Sequence, residues 1–466
     1  MKPNPDQEVK TCPRIESGLR LGPDAVRPCV FSVFESPIYW QAEEVPSPIT
    51  KADIVGKRRE LFEQLNNETS DIVCKTCLKV ETKAYKDVSF EKLGFIDLAH
   101  YSYCNLRCDY CGFTQNDSFH KAKYSALDIL EQFEDQDVEL DSSVDFNGGE
   151  PSILPNIGHY LQLLRDKRIR TRMYSNAVVY SQEIEDALRD GTISWLIVSV
   201  DAGTRATFSR TKLRDHYETV ISNIRRYSAA CDGKKSGQVA SKYIFTMSNY
   251  GDEDIHGYVD DMLAAKPHQI WLLYDFQDFD RINDPSYDIL VTAYAKMFAA
   301  FQRAGISPLH FYESFLDPVV SESRELVRRT KAEIKRIGAD PEPKAVLPSR
   351  KNCTIVNDTE VIETIKRSGA ENLLIAPANI TTETIIQHSG KTEASVFIAD
   401  RCTHKAGRAI GDHTILHYSD LAPIDYAQII ITSRYHFNAI LAEIMKHAEI
   451  ENSRVLLVDA GVHKSL

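Results

Sequence analysis

No apolar run in this chain approaches the roughly 18 residues that a membrane-spanning helix needs. The opening MKPNPDQEVKTCPRIESG has no apolar core of the kind that marks a secretory signal, so a cytoplasmic protein without a membrane partner is expected. Positive charge is also scarce: 55 Lys and Arg stand against 67 Asp and Glu, a formal net charge of -12. General nucleic-acid binders need the opposite balance to displace counterions from phosphates. The expected partner is therefore a small or peptidic substrate and no nucleic acid. Ten cysteines in 466 residues are too sparse for a disulfide scaffold, and in a reducing compartment those that cluster point to metal binding or catalysis. Seven of the ten fall in the first quarter of the chain.

Between about Phe95 and Leu316 apolar patterning alternates between two periods. GFIDLAHYSY reads as a strand, and SALDILEQF sets Ile129 and Phe133 on one helical face. SVDFNGGEPS precedes a helix with Ile157, Leu161 and Leu164 in register. RTRMYSNA, WLIVSVDAG, KYIFTM and QIWLLYDF each lead into a further helical stretch. Six βα units in succession predict an α/β fold with a parallel sheet, either open and doubly wound or an incomplete barrel. In both, ligands bind at the C-terminal ends of the strands, and CNLRCDYC, residues 104–111, leaves the first strand at that end.

This loop spaces Cys104, Cys108 and Cys111 as C-x3-C-x2-C. Three thiolates can hold three irons of a [4Fe-4S] cube and leave the fourth open to another ligand. Zinc asks for a fourth nitrogen or sulfur, and His100 and His120 flank the loop, so spacing alone leaves both metals open.

Further on, NGGEPS ends the second strand with Gly148, Gly149, Glu150 and Pro151. Glycines let backbone approach a ligand, and the turn offers carbonyls and a carboxylate to a cationic ammonium. With these motifs in this order, and Tyr110 as the aromatic residue before the third cysteine, the sequence resembles the radical S-adenosylmethionine (SAM) enzymes. The resemblance implies a partial (β/α)6 TIM-type barrel, a [4Fe-4S] cluster on Cys104, Cys108 and Cys111, and SAM on its open iron. The NGGEPS groups would bind the SAM amino group. Ser175 and Asn176, then Ser199 and Asp201, stand at the ends of the third and fourth strands, at positions that face the SAM ribose and methionine moieties in relatives. Lys212 stands where relatives pair a basic residue with the SAM carboxylate. On the residues alone, a strand-end Ser or Asn is also an ordinary helix cap, and Lys212 an ordinary surface lysine. The implied chemistry is reductive cleavage of SAM to methionine and a 5'-deoxyadenosyl radical that takes hydrogen from an unactivated carbon. An electron donor such as flavodoxin or ferredoxin is the implied partner.

Cys12, Cys29, Cys74 and Cys77 precede the barrel. They frame a strand-turn-strand, a helix and a C-x2-C pair, one way to fold four ligands around a metal, with iron-sulfur and zinc both open. The stretch resembles the auxiliary-cluster module called SPASM, or twitch in its shorter form, which implies a second [4Fe-4S] cluster. Such modules usually follow the barrel, whereas this one comes first. Cys231, Cys353 and Cys402 are isolated, and buried packing is expected for each.

Four segments follow: an auxiliary-cluster module over 1–88, the barrel over 89–320, a charged linker over 321–352 and a Rossmann-like domain over 353–466. In the last, NLLIAPA, ASVFIAD, AQIIITS and RVLLVD read as strands. Its first loop lacks Gly-x-Gly-x-x-Gly, so no dinucleotide is assigned; Asp400 could accept a ribose hydroxyl or cap a turn. FIADRCTHKAGRAIGDHTILHYSDL resembles small Rossmann-like domains of sugar-modifying enzymes and methyltransferases in cell-surface glycan pathways. The expected reaction is oxidation or epimerisation of a carbohydrate or polyol, nucleotide-linked forms included. A peptide maturase is the alternative, although it would need a peptide-recognition winged helix for which there is no room before Cys12. A non-catalytic iron-sulfur redox scaffold is another, and it would not need Gly-Gly-Glu-Pro.

Overall fold

The computed structural model describes residues 4–29, 36–77, 79–115, 120–231, 236–275, 284–310 and 321–341, and then 353–356, 358–368, 372–378, 380–389, 394–400, 405–421, 426–432, 440, 444 and 454–458. The chain forms two compact units, Met1–Glu342 and Pro343–Leu466. No helix among the described residues is long and apolar enough to cross a membrane.

The first unit begins with β1 (Glu8–Thr11), the short α1 (Pro13–Ser17), β2 (Gly18–Leu21), β3 (Ala25–Arg27) and β4 (Trp40–Gln41). Next come α2 (Lys51–Asn66) and β5 (Glu81–Ala84), which pairs antiparallel with β1. The repeating part follows: β6 (Leu93–Leu98), α3 (Gly112–Gln115), α4 (Ala126–Glu131), β7 (Val138–Phe146), α5 (Ile157–Asp166), β8 (Arg170–Ser175) and α6 (Gln182–Arg189). It continues with β9 (Ile193–Ser199), α7 (Arg205–Lys212), α8 (Tyr217–Ala230), β10 (Gln238–Phe245), α9 (Asp252–Ala265), β11 (Gln269–Tyr274), α10 (Asp288–Arg303), β12 (Leu309–His310) and α11 (Ser321–Arg336). The main sheet has ten strands in the order β12-β11-β10-β9-β8-β7-β6-β2-β3-β4. All are parallel from β12 to β2, as helical crossovers demand.

The two faces of this sheet differ. Ile96, Leu98, Val144, Phe146, Met173, Leu196, Val198, Tyr243, Phe245 and Leu272 are buried. Between them in sequence, Arg20, Phe95, Arg172, Tyr174, Trp195 and Lys242 are only half-buried. A parallel sheet sealed on both sides would be apolar on both; here one face is apolar core, while the other, the more open face, carries charged residues, with Asp97, Asp145, Ile197 and Trp271 on it buried.

The N-terminal segment, expected as a module of its own, is part of this sheet. Gly18 pairs with Phe95 and Leu21 with Leu98, in parallel. Arg58 of α2 is fully buried and donates to the carbonyls of Phe90 and Lys92, 2.7 Å each, and of Gly18, 3.1 Å. Through these three carbonyls, drawn from both segments, the two guanidinium Nη groups tie them together. The start of α2 is fixed by a capping box: Thr50 Oγ1 accepts from Asp53 N at 3.1 Å and Thr50 N donates to Asp53 Oδ2 at 2.8 Å. Thr50→Ala is expected to cost about 1 kcal/mol, read from the midpoint of urea denaturation. The linker expected over 321–352 is in part the helix α11, whose Thr330 and Glu333 bond Tyr274 (2.8 Å) and Thr292 (3.3 Å); residues 342–352 lie outside the described residues.

The second unit contains β13 (Cys353–Val356), α12 (Asp358–Arg367), β14 (Asn372–Ala376), α13 (Ile380–Ser389), β15 (Ser395–Asp400), β16 (Ala409–Ile410), β17 (His413–His417), β18 (Gln428–Ile431) and β19 (Arg454–Val458). The sheet order is β13-β19-β18-β14-β15-β17-β16, parallel except for β16. Chain progression reverses between β14 and β18. Leu374, Ala376, Tyr426, Ile429 and Ile431 form its core. Cys231 in the first unit is buried, with its Sγ donating to Tyr227 O at 3.3 Å. The side chain of Cys353 and all of Cys402 lie outside the described residues.

Candidate active site

The cysteine loop leaves β6 and is fastened at both flanks. Ser102 N donates to His120 O at 2.9 Å; Arg107 N and Asp109 N donate to Lys212 O (3.2 Å) and Thr211 O (2.9 Å) at the end of α7. Cys104, Cys108 and Cys111 are free thiols, half-buried. Burial pushes the Cys104 thiol up to about 11, against the Leu106 N–H that donates to its Sγ at 3.4 Å. Burial also raises Cys108, which the Lys212 ammonium opposes. His100 is held elsewhere: its Nε2 lies 2.9 Å from Tyr160 OH, the rings stack at 5.2 Å, and burial lowers its pKa to about 4.

The Gly-Gly-Glu-Pro turn follows β7 and lies directly on this loop. Gly148 has φ 94°, in the left-handed region. A Cβ on Gly149 would stand 2.3 Å from Tyr103 O and 2.6 Å from Ser102 C, so only glycine lets the two backbones meet. Glu150 N donates to Tyr103 O at 2.9 Å. The Glu150 carboxylate, 1 % exposed, accepts from Ser152 N (3.0 Å), Ser175 Oγ (2.7 Å) and Asn176 N (2.6 Å). Burial raises its pKa and these donors pull against the rise. It thus locks the turn to the end of β8. From there Asn176 Nδ2 reaches Asn105 Oδ1 at 2.7 Å and Cys104 Sγ at 3.5 Å, closing a circuit through all three motifs.

At the end of β9, Asp201 and Lys212 form an ion pair at 2.5 Å with side chains 0 % and 1 % exposed. Tyr110 OH donates to Asp201 Oδ2 at 2.5 Å and accepts from Lys212 Nζ. Burial pushes Asp201 up, but Lys212 and Lys242 outweigh it and hold it below the usual carboxylate range. Lys212 is therefore no solvated surface residue. It comes from α7, a helix that the sequence pattern did not reveal, capped by Thr204, whose side chain accepts from Thr207 N. Ser199, the last residue of β9, is half-buried on the open face.

The four N-terminal cysteines also come together. Burial pushes Cys74 up to about 12, with Cys29, Cys12 and Cys77 adding to the rise, and Cys12 is raised by burial with Cys77 and Cys29 adding. They sit by the start of β2, since Cys12 precedes α1 and Cys29 follows β3, antiparallel to β2. The other cysteine loop leaves β6 at the opposite end of the same sheet. Among the described residues, no three His, Cys, Asp or Glu side chains converge on a single metal-ion position. An iron-sulfur cube gives each thiolate its own iron and does not require that convergence, whereas one zinc ion does. The three thiols of the Cys104, Cys108 and Cys111 loop, none in a disulfide, are the donor set such a cube takes.

Several residues on the open face were not singled out from sequence: Arg20, Asp97, Asp145, Arg172 and Lys242. Their signal was charge at alternate positions of strands otherwise apolar, as in FIDL, VDF and RTRMY. In the second unit, Asp400 at the end of β15 accepts from Lys405 Nζ at 3.1 Å, so its carboxylate is paired within the chain.

The first unit is thus an α/β protein with a cysteine loop, a Gly-Gly-Glu-Pro turn and polar strand-end residues joined at the C-terminal edge of one parallel sheet. Residues 98–262 match the family described as the Radical SAM superfamily, and this part of the chain is a radical SAM domain. No curated protein matches the chain. Among solved structures, Streptococcus suis SuiB bound to S-adenosylmethionine is similar at 20% identity and a TM-score of 0.32, over 40% of this chain and 41% of that one. The radical S-adenosylmethionine methyltransferase TsrM from Kitasatospora setae, with cobalamin and a [4Fe-4S] cluster bound, is similar at 14% identity and a TM-score of 0.33, over 64% and 61%. The chain spans about two fifths of the SuiB chain. Scores this low carry no argument about fold or substrate.

Proposed function

We propose that this chain is a radical SAM enzyme that oxidises or epimerises a carbohydrate or polyol, with the substrate on the open face of the main sheet. The observation that carries this reading is the hydrogen-bonded circuit from Cys104 and Asn105 through Asn176 to Glu150. On this reading Cys104, Cys108 and Cys111 hold a [4Fe-4S] cluster that, when bound, supplies the electron for SAM cleavage. The chain's own part is to bind, orient and exclude water. Glu150 holds the turn that faces SAM, and Asp201 with Tyr110 holds Lys212 beside the cysteine loop. The main sheet is read as a partial barrel and the second unit as a Rossmann-like domain that grips the substrate's carrier. A flavodoxin or ferredoxin is the proposed electron donor.

Two features support a hydroxyl-rich ring as substrate. Trp195 and Trp271 lie on strands either side of β10, with Ala240 between them and ring centroids 6.1 Å apart, giving apolar ring faces. Asp97, whose Oδ1 has no hydrogen-bond partner among the described residues, supplies a carboxylate acceptor on the same face.

Cys12, Cys29, Cys74 and Cys77 are read as ligands of a second [4Fe-4S] cluster. Replacing Cys104, Cys108 and Cys111 together with alanine and reconstituting anaerobically is expected to leave about four irons per chain with a [4Fe-4S] Mössbauer signal. Zinc in place of that iron would make the N-terminal group structural and favour a redox-neutral epimerisation. The unaltered enzyme with a strong reductant is expected to form methionine and 5'-deoxyadenosine; no cleavage would point to a redox scaffold.

A further inference from the structure

On the open face, most charged side chains are already paired. Arg172 Nε and Nη2 donate to the two oxygens of Asp145 at 2.6 and 2.7 Å. Asp97 Oδ2 accepts from Asn147 Nδ2 at 2.9 Å and lies 3.6 Å from Arg20. Asp201 and Lys212 satisfy each other. Lys242 does not follow this pattern. It lies in β10 beside Ser199 of β9 on one side and Trp271 of β11 on the other, half-buried. Its ammonium makes no hydrogen bond or ion pair among the described residues; it faces the Tyr174 ring at 5.7 Å. The hydroxyl of Ser199, its cross-strand neighbour, is likewise without a hydrogen bond among the described residues. Two donors in register, one cationic, are therefore without a direct hydrogen-bond partner among the described residues, next to the SAM-site residue Asp201, whose Oδ1 accepts from Ile244 N at 2.7 Å on the same strand as Lys242.

Lys242 feels the Asp201 carboxylate, which Lys212 already pairs, but makes no direct ion pair among the described residues. A half-buried ammonium held this way is costly, and an anion arriving with the substrate would lower that cost while gaining a charge-assisted bond. We propose that the substrate carries an anionic oxygen group, a phosphate monoester or a carboxylate, which binds the Lys242 ammonium and the Ser199 hydroxyl. This rests on the reading of the open face as the substrate site of a radical SAM enzyme, and it names the charge class that site selects.

The test uses the full chain, reconstituted and SAM-loaded under anaerobic conditions, titrated calorimetrically with glucose, glucose 6-phosphate and glucuronate. At least tenfold tighter binding of one charged sugar over glucose is expected, and which one binds identifies the group. Lys242→Met is expected to erase this preference and Lys242→Arg to retain part of it. Equal binding of charged and neutral sugars, or none by any of them, overturns the proposal. So does a preference that survives Lys242→Met. Loss of SAM affinity in Lys242→Met as large as the loss of sugar affinity would assign the ammonium to the SAM carboxylate and overturn it as well. SAM cleavage by the unaltered enzyme is measured alongside. Cleavage without a charge preference defeats only this inference, while absence of cleavage defeats the reading beneath it.

Discussion

Gly149→Val is expected to weaken SAM binding, to strip iron from the Cys104, Cys108 and Cys111 site, and to slow SAM cleavage about 100-fold, the scale of a displacement of about 1 Å at a reacting site. The added Cβ would meet Tyr103 O at 2.3 Å, Ser102 C at 2.6 Å and Tyr101 O at 2.8 Å. All three are backbone atoms, so no side chain can swing aside. The cysteine loop and the Gly-Gly-Glu-Pro turn would have to separate, breaking the bond from Glu150 N to Tyr103 O. Equilibrium SAM binding checks this, with circular dichroism to confirm that the fold persists. Wild-type affinity in a folded Gly149→Val protein would show that the contact between turn and loop does not matter.

Lys212→Met is expected to destabilise the first unit by about 3–5 kcal/mol, the range for removing one partner of a buried pair. Its ammonium and the Asp201 carboxylate are 1 % and 0 % exposed, so the methionine would leave a negative charge with little water to replace its partner. The Asp201 interaction outweighs burial and keeps Lys212 charged, its pKa raised. Combining the change with Asp201→Asn should cost less than the two single changes added, since the double variant leaves no unpaired charge. Urea denaturation of the four proteins reads this directly. Strict additivity would mean that the two groups do not act as a pair.

The strands and helices from β6 to α10 were legible because their apolar residues repeat with the period of a strand or of a helix over six or more positions. What that pattern could not show was α7, where RATFSRTK carries a single large apolar residue, Phe208. Without α7 the position of Lys212 was a matter of resemblance; with it, two backbone bonds pin the cysteine loop to the helix end. Local pattern also gave no sign that GLRL would pair with β6, because strand order depends on contacts far apart in sequence. The cysteines and the Gly-Gly-Glu-Pro turn of the candidate site were legible from type and spacing, whereas the strand-end residues Ser175, Asn176, Ser199 and Asp201 were pointed to only by the resemblance. That Lys242 has no direct ion-pair partner among the described residues was not, since it depends on what three neighbouring strands place around it.

The parallel pairing of Gly18 with Phe95 has a consequence for the chain as it is made. When β2 emerges during synthesis, its parallel partner does not yet exist, and the order of N-terminal-first folding is inverted for this strand. Conversely, a chain without its first 88 residues would leave β6 as a sheet edge with bare N–H and C=O groups, a template for self-association. The N-terminal segment thus serves as an edge guard for the radical SAM domain, whatever its cysteines hold.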